Sequence, residues 1–178
     1  MSRQSRPAAG EPFPEVLVTT LDGKAVQLGH ACEEADWTMV VVYRGQHCPL
    51  CTRYLNQLEN YWDRLCANKV GLMAVSADSR EQLQAHMEKL EVSFPVAYGL
   101  TVEQMQALGV YISVPRSAAE TDHNFAEPGI FVVNQDGNLH VVDISNNPFA
   151  RPDIEQLVSG LEWIRDPKND YPVRGTFR

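Results

Sequence analysis

The chain has 178 residues, 44% of them hydrophobic and 21% charged, enough for one domain with a full core and too few for a second. A formal net charge of −8 and a pI near 5.1 argue against a general nucleic-acid or anionic-membrane surface and favour small or neutral substrates. The stretch from Met1 to Gly10 lacks the apolar core of a secretory signal, and no later run approaches membrane-spanning length. The expectation is a cytosolic protein with a mobile arm over residues 1–10, one domain over 11–166 and a tail over 167–178.

In chain order, Glu15–Thr20 and Ala25–Leu28 read as a hairpin around the Asp22-Gly23 turn. Thr38–Tyr43 is a β-branched run that gives way at Cys48-Pro49-Leu50-Cys51 to a long amphipathic helix with the stripe Leu55, Leu58, Trp62, Leu65. Val70–Ser76 is continuously apolar, as expected for a strand covered on both faces. Ser79 can cap a helix through Leu90, with Leu83, Met87 and Leu90 on one face. Phe94–Tyr98 reads as a short strand, and Thr101 opens a helix carrying Val102, Met105 and Leu108. A polar loop from about Ser113 to Glu127 precedes a second hairpin, Ile130–Val133 with Leu139–Val142, and Pro152 starts a last helix carrying Ile154, Leu157, Leu161 and Ile164.

The Cys-Pro-Leu-Cys segment carries the chemistry. A cysteine at a helix N-cap faces unpaired backbone N–H groups and the positive end of the helix dipole, both of which favour thiolate over thiol. Pro49 suits the first helical position, where its missing N–H costs nothing, and Cys51 lies about one turn on, within reach of a disulfide with Cys48. Cys48 is therefore assigned as nucleophile and Cys51 as resolving thiol. In a reducing cytosol such a pair is catalytic more often than structural. A zinc site is the competing reading of these cysteines. It needs two more ligands, and Cys66 lies about 22 Å away if one helix connects it to Cys51. Cys32, His30 and His47 remain as candidates. Cys66, beside the apolar stripe, reads as a buried small hydrophobe. Arg44 and His47 flank Cys48, and either cation would favour its thiolate further.

The order β-β, β-α-β-α, β-β-α with a redox pair at the C-terminal end of a central strand resembles the thioredoxin fold: an α/β architecture, a central mixed sheet flanked by helices, here with an N-terminal β-hairpin extension. From about Pro12 to Ile164 the chain is more closely similar to the alkyl hydroperoxide reductase and thiol-specific antioxidant family, the peroxiredoxins and their relatives. The marks are Asp22-Gly23, the run from Tyr43 to Pro49 leading into the helix, Ala74-Val75-Ser76-Ala77-Asp78-Ser79, Phe94-Pro95 and the late strand pair bridged by Asp136-Gly137. Val41 and Gly45 stand where that family typically has a proline and a peroxide-binding Thr or Ser, which argues against efficient peroxide reduction. Cys51, by contrast, resembles the second cysteine of thioredoxins.

The resemblance implies further residues. Arg151, just ahead of the last helix, matches an arginine placed near the thiolate. Pro128 resembles the cis-proline facing the dithiol of thioredoxin-like proteins, which would put its backbone beside an extended thiol substrate and Glu127 close enough to influence proton transfer. The implied activity is a thiol-disulfide oxidoreductase or peroxiredoxin-like thiol peroxidase. Its substrate is a hydroperoxide or a disulfide, its reductant a thioredoxin- or glutathione-type thiol, and it uses no bound cofactor or metal; a homodimer stays open. A non-catalytic redox sensor or binding module is the alternative from a different class.

Overall fold

The computed structural model describes residues 6–30, 32 and 34–177. Seven strands form one mixed sheet in the order β2-β1-β5-β4-β3-β8-β9, from β1 (Leu17–Thr20), β2 (Ala25–Gln27), β3 (Trp37–Val42), β4 (Val70–Val75), β5 (Val96–Tyr98), β8 (Gly129–Val133) and β9 (Leu139–Ile144). Between β5 and β8 in the chain, β6 (Ile112–Ser113) and β7 (Phe125–Ala126) make a separate two-stranded ribbon. β3 runs parallel to β4 and antiparallel to β8, so the strand that leads into Cys48 sits inside the sheet. Its alternation divides the core: Trp37, Met39, Val41 and Tyr43 face one cluster with Leu55, Leu58, Leu65, Val158 and Leu161, while Val40 and Val42 face another with Met105, Leu108 and Phe131. Every residue of β3 is buried, Thr38 among them, as suits a largely apolar, β-branched strand inside the sheet.

Local chemistry sets the element ends. Ser79 and Thr101 form capping boxes with Gln82 and Gln104, starting α3 (Arg80–His86) and α4 (Val102–Leu108). Gly109 closes α4 in the left-handed conformation. Asp153, one residue after Pro152, caps α5 (Ile154–Arg165). The helix expected from Ser79 to Leu90 ends at His86. Beyond it, Asn56 captures the chain, donating from Nδ2 to the Lys89 carbonyl at 3.1 Å and accepting the Glu91 N–H at 2.9 Å. The long active-site helix is likewise two, α1 (Pro49–Glu59) and α2 (Trp62–Ala67), broken at Asn60-Tyr61. The break turns Cys66 outward, so it is exposed rather than buried.

Met1–Ser5 of the expected arm lie outside the described residues, whereas Arg6–Gly10 lie against the body. Arg6 stacks on Tyr111, and the Gly10 N–H donates to the Leu139 carbonyl at 2.8 Å. Among the described residues no helix is long and apolar enough to cross a membrane.

Candidate active site

β3 delivers the chain to a loop, Tyr43–His47, that drops Cys48 onto the N-terminus of α1. Cys48 is the N-cap, with Pro49 in the first turn, and its sulfur accepts the Cys51 N–H at 3.4 Å. Both thiols are reduced and buried. Cys48 is pushed down to about 6, first by the hydrogen bond from the Cys51 thiol and then by the Cys51 backbone and Arg44, against the cost of burial. Cys51 is pushed strongly upward by the same bond and by burial. The two thiols are displaced in opposite senses, Cys48 towards thiolate and Cys51 towards thiol, with Cys51 donating to Cys48.

Arg44 reaches the site from the end of β3. Its Nε lies 3.3 Å from Glu127 Oε2 and its Nη2 3.7 Å from Glu120 Oε1, and its guanidinium stacks over Phe125 at 4.7 Å. Glu127 is buried and accepts a 2.7 Å hydrogen bond from Ser113 Oγ. It is therefore no solvated loop carboxylate, and its direct partner is Arg44. His47 is not a second cation. Burial, then repulsion from Arg44, lowers it to about 4, and its ring packs edge-on against Phe125 at 4.5 Å. A neutral imidazole lends no charge to Cys48.

Arg151 sits beside the dithiol, but on the Cys51 sulfur: its Nη1 donates to Cys51 Sγ at 3.5 Å while the guanidinium covers Tyr54 at 4.5 Å. Pro128 departs from expectation. No peptide bond among the described residues is cis, so Glu127-Pro128 is trans. The chain here runs between two neighbours, with the Glu127 N–H donating to the Tyr111 carbonyl at 2.7 Å and the Pro128 carbonyl accepting the Ser145 N–H at 3.0 Å. Pairing on both sides satisfies the extended trans form, which X-Pro bonds favour by about 0.5–1 kcal/mol. It also occupies that carbonyl, so the backbone expected to pair with a substrate is already engaged.

The sequence did not reveal the support beneath the loop. Asp78, completely buried after β4, accepts the Gln46 N–H at 2.8 Å, and its Oδ1 lies 3.5 Å from His123 Nε2. Burial pushes its carboxyl upward. His86 from α3 is also buried, its Nε2 2.8 Å from Thr52 Oγ1. The Ser76-Ala77-Asp78 run was a visible signal for Asp78; nothing linear pairs it with Gln46 or His123. Among the described residues no cluster of three or more His, Cys, Asp or Glu side chains could hold a metal, and Cys32 and Cys66 are exposed whereas Cys48 and Cys51 are buried.

Cys48 forms the floor of a cleft of about 530 Å³, walled by Arg44, His47, Leu50, Lys89, Arg116 and Glu120. The volume suits a small molecule.

A thioredoxin-type sheet with an N-capping thiol at the end of its central strand places the chain among the peroxiredoxin-like proteins. The chain matches the AhpC/TSA family over residues 9–142 and belongs to it. A peroxiredoxin of Methanococcus maripaludis is 25% identical over 162 residues, covering 86% of this chain and 71% of that one. A 1-Cys peroxiredoxin of Medicago truncatula is 28% identical over 94 residues, covering 49% of this chain and 42% of that protein. The chain thus matches less than half the length of the latter. Among solved structures, a peroxiredoxin-like protein from Aquifex aeolicus superposes with a TM-score of 0.72 at 17% identity, covering 89% of this chain and 88% of that one. Mycobacterium tuberculosis AhpC gives 0.72 at 15% identity, covering 92% and 96%. These two likenesses concern the fold.

Proposed function

We propose that the protein is a dithiol oxidoreductase that cycles Cys48 and Cys51 between thiols and an intramolecular disulfide, reducing a small disulfide or, more slowly, a hydroperoxide. The observation that carries the reading is the geometry of the pair: Cys48 caps α1 at the cleft with its sulfur 3.4 Å from the Cys51 N–H, one turn from a second thiol, and the two are displaced in opposite senses, Cys48 downward and Cys51 upward.

The chemistry follows from that pair. Cys48 thiolate attacks one sulfur of a disulfide, the S–S bond breaks, and one thiolate leaves; with a hydroperoxide it attacks the distal oxygen, the O–O bond breaks, the alkoxide or hydroxide leaves and takes a proton from solvent to become alcohol or water, and Cys48 becomes a sulfenic acid. In either case the negative charge that had held the Cys51 proton is gone. Arg151, still 3.5 Å from Cys51, now favours ionisation of that sulfur. Cys51 then attacks Cys48, expelling the second thiol or water and closing the disulfide. An external thiol of the thioredoxin or glutathione type returns both electrons, so no bound cofactor is needed.

Two features favour a disulfide over a peroxide as the better substrate. Gly45 offers no hydroxyl to the cleft, and the second thiol one turn away suits exchange. A reactive thiol on the floor of a small-molecule cleft favours catalysis over a sensor that reacts once. The test is turnover with excess 2-hydroxyethyl disulfide, hydrogen peroxide or cumene hydroperoxide, each with a regenerating thiol reductant. Many turnovers with at least one substrate, together with loss of two thiols per chain on oxidation, are expected. A single turnover with all three overturns the catalytic reading.

A further inference from the structure

We propose that the cleft over Cys48 contains a carboxylate-binding subsite formed by Lys89 and Arg116, so that the preferred small substrates are anionic disulfides; the inference rests on the dithiol reading above. In a chain with a formal net charge of −8, three cations from three separate segments converge on this one cleft: Arg44 after β3, Lys89 after α3 and Arg116 in the loop before β7. Among the described residues lining it, Glu120 is the one carboxylate.

Glu120 does not neutralise all three. It accepts the Arg116 backbone N–H at 2.7 Å and Arg116 Nε at 3.3 Å, and lies 3.7 Å from Arg44 Nη2, so it ties the two arginines together on one wall. Arg44 is further engaged by Glu127, behind the cleft. Against Glu120 and Glu127 the three cations leave one net positive charge, spread over Arg116 and Lys89 at the rim. Arg116, with its side chain 86% exposed, meets Glu120 through Nε. Lys89 makes no ion pair among the described residues. Its backbone is fixed through Asn56, which binds the Lys89 carbonyl at 3.1 Å, so the side chain springs from a rigid base on α1, the helix that carries Cys48.

The preference follows from the reaction as well as the resting charge. An anionic substrate must approach a thiolate, and the repulsion between them slows attack unless nearby cations offset it. Lys89 and Arg116 supply that offset at the rim, leaving Arg44 to its contacts with Cys48, Glu120 and Glu127. With a carboxylate-bearing disulfide, Cys48 forms a mixed disulfide and releases one thiolate. Cys51 then closes the internal disulfide and releases the second. Two electrons pass from the protein dithiol to the substrate sulfurs; Cys51 and solvent supply the protons.

The experiment separates charge preference from catalysis. Alkylation of Cys48 by iodoacetate and by iodoacetamide, followed by mass spectrometry of the Cys48 peptide, gives a rate ratio in which the thiolate fraction cancels. The ratio should exceed that of a free thiol such as N-acetylcysteinamide at low salt and fall towards it at high salt. In Lys89→Gln and in Arg116→Gln it should fall about two- to fivefold, the range for one exposed ion pair. A ratio equal to that of the free thiol, or unmoved by both substitutions, overturns the subsite. Turnover with 3,3′-dithiodipropionate, 2-hydroxyethyl disulfide and cystamine is measured alongside. If none is turned over while the alkylation ratio behaves as described, the reading of small disulfides as substrates fails and the anion preference of the cleft stands.

Discussion

Gly45 and Asp78 are in contact across the active-site loop: a β-carbon built on Gly45 would lie 2.5 Å from Asp78 Oδ1, and Gly45 has φ of +133°. The residue missing the family's hydroxyl is thus a glycine by necessity of backbone and neighbour. Asp78 cannot retreat, because its other oxygen accepts the Gln46 N–H.

Restoring the hydroxyl by Gly45→Thr should therefore fail as a rescue. Strained backbone costs about 1–3 kcal/mol, with the clash added to it. Urea unfolding of the reduced protein should show a lower midpoint, and peroxide reduction should not rise. A stable Gly45→Thr variant with faster peroxide turnover would show that the loop can reorganise around a side chain.

The pH dependence of Cys48 alkylation tests the electrostatic assignment. With the thiolate favoured, the rate should rise through about pH 6 and be nearly level above pH 8. Arg44→Gln removes a cation that stabilises the thiolate, so the inflection should move towards the free-thiol value of about 8.5. Glu127→Gln relieves Arg44 of one carboxylate and should not move the inflection upward. An inflection unchanged in Arg44→Gln would leave the Cys51 hydrogen bond and the helix start as the sole causes.

Acid should destabilise the fold through its buried histidines. His47 and His86 are lowered from 6.5 to about 4 by burial first, with repulsion from Arg44 and Lys89 next. Between those values the unfolded chain takes up protons that the folded chain refuses, so stability falls as pH drops from 6.5 towards 4. The raised carboxyl of Asp78 acts in the opposite sense, since protonation suits its burial. His86→Gln retains a polar partner for Thr52 and removes one titrating group, so its urea midpoint should decline less steeply over that interval. An identical decline would assign the acid sensitivity elsewhere.

How much could be read in advance depended on how local the cause was. The β-branched run into Cys48-Pro49-Leu50-Cys51 determines a buried strand, an N-cap and a proline in the first turn, and each is present. Arg151 was placed beside the dithiol by its position before α5, but which sulfur it serves depends on the packing of α5 against Tyr54, whose hydroxyl donates to the Pro152 carbonyl at 2.9 Å. His47 looked cationic because its burial against Phe125 arises from a loop far along the chain. The same loop turns Glu127 inward and brings His123 to Asp78. Pro128 shows the limit of positional analogy, because its backbone is satisfied without a cis bond.

The order of the two sulfurs is the most direct test of mechanism. Cys48 lines the cleft and is the thiol displaced towards its thiolate, whereas Cys51 does not line it. Cys48→Ser should abolish turnover with every substrate, because neither the attack on sulfur nor that on oxygen can begin. Cys51→Ser should still let Cys48 react once, and the product should then persist: a mixed disulfide after 2-hydroxyethyl disulfide, a sulfenic acid after peroxide, distinguishable by mass. The first step in Cys51→Ser should have a near-wild-type inflection, since the serine hydroxyl and the residue 51 N–H can both still donate to Cys48. Full activity in Cys48→Ser with loss in Cys51→Ser would invert the roles. Full activity in both would end the dithiol mechanism, because no other described thiol lies on the cleft.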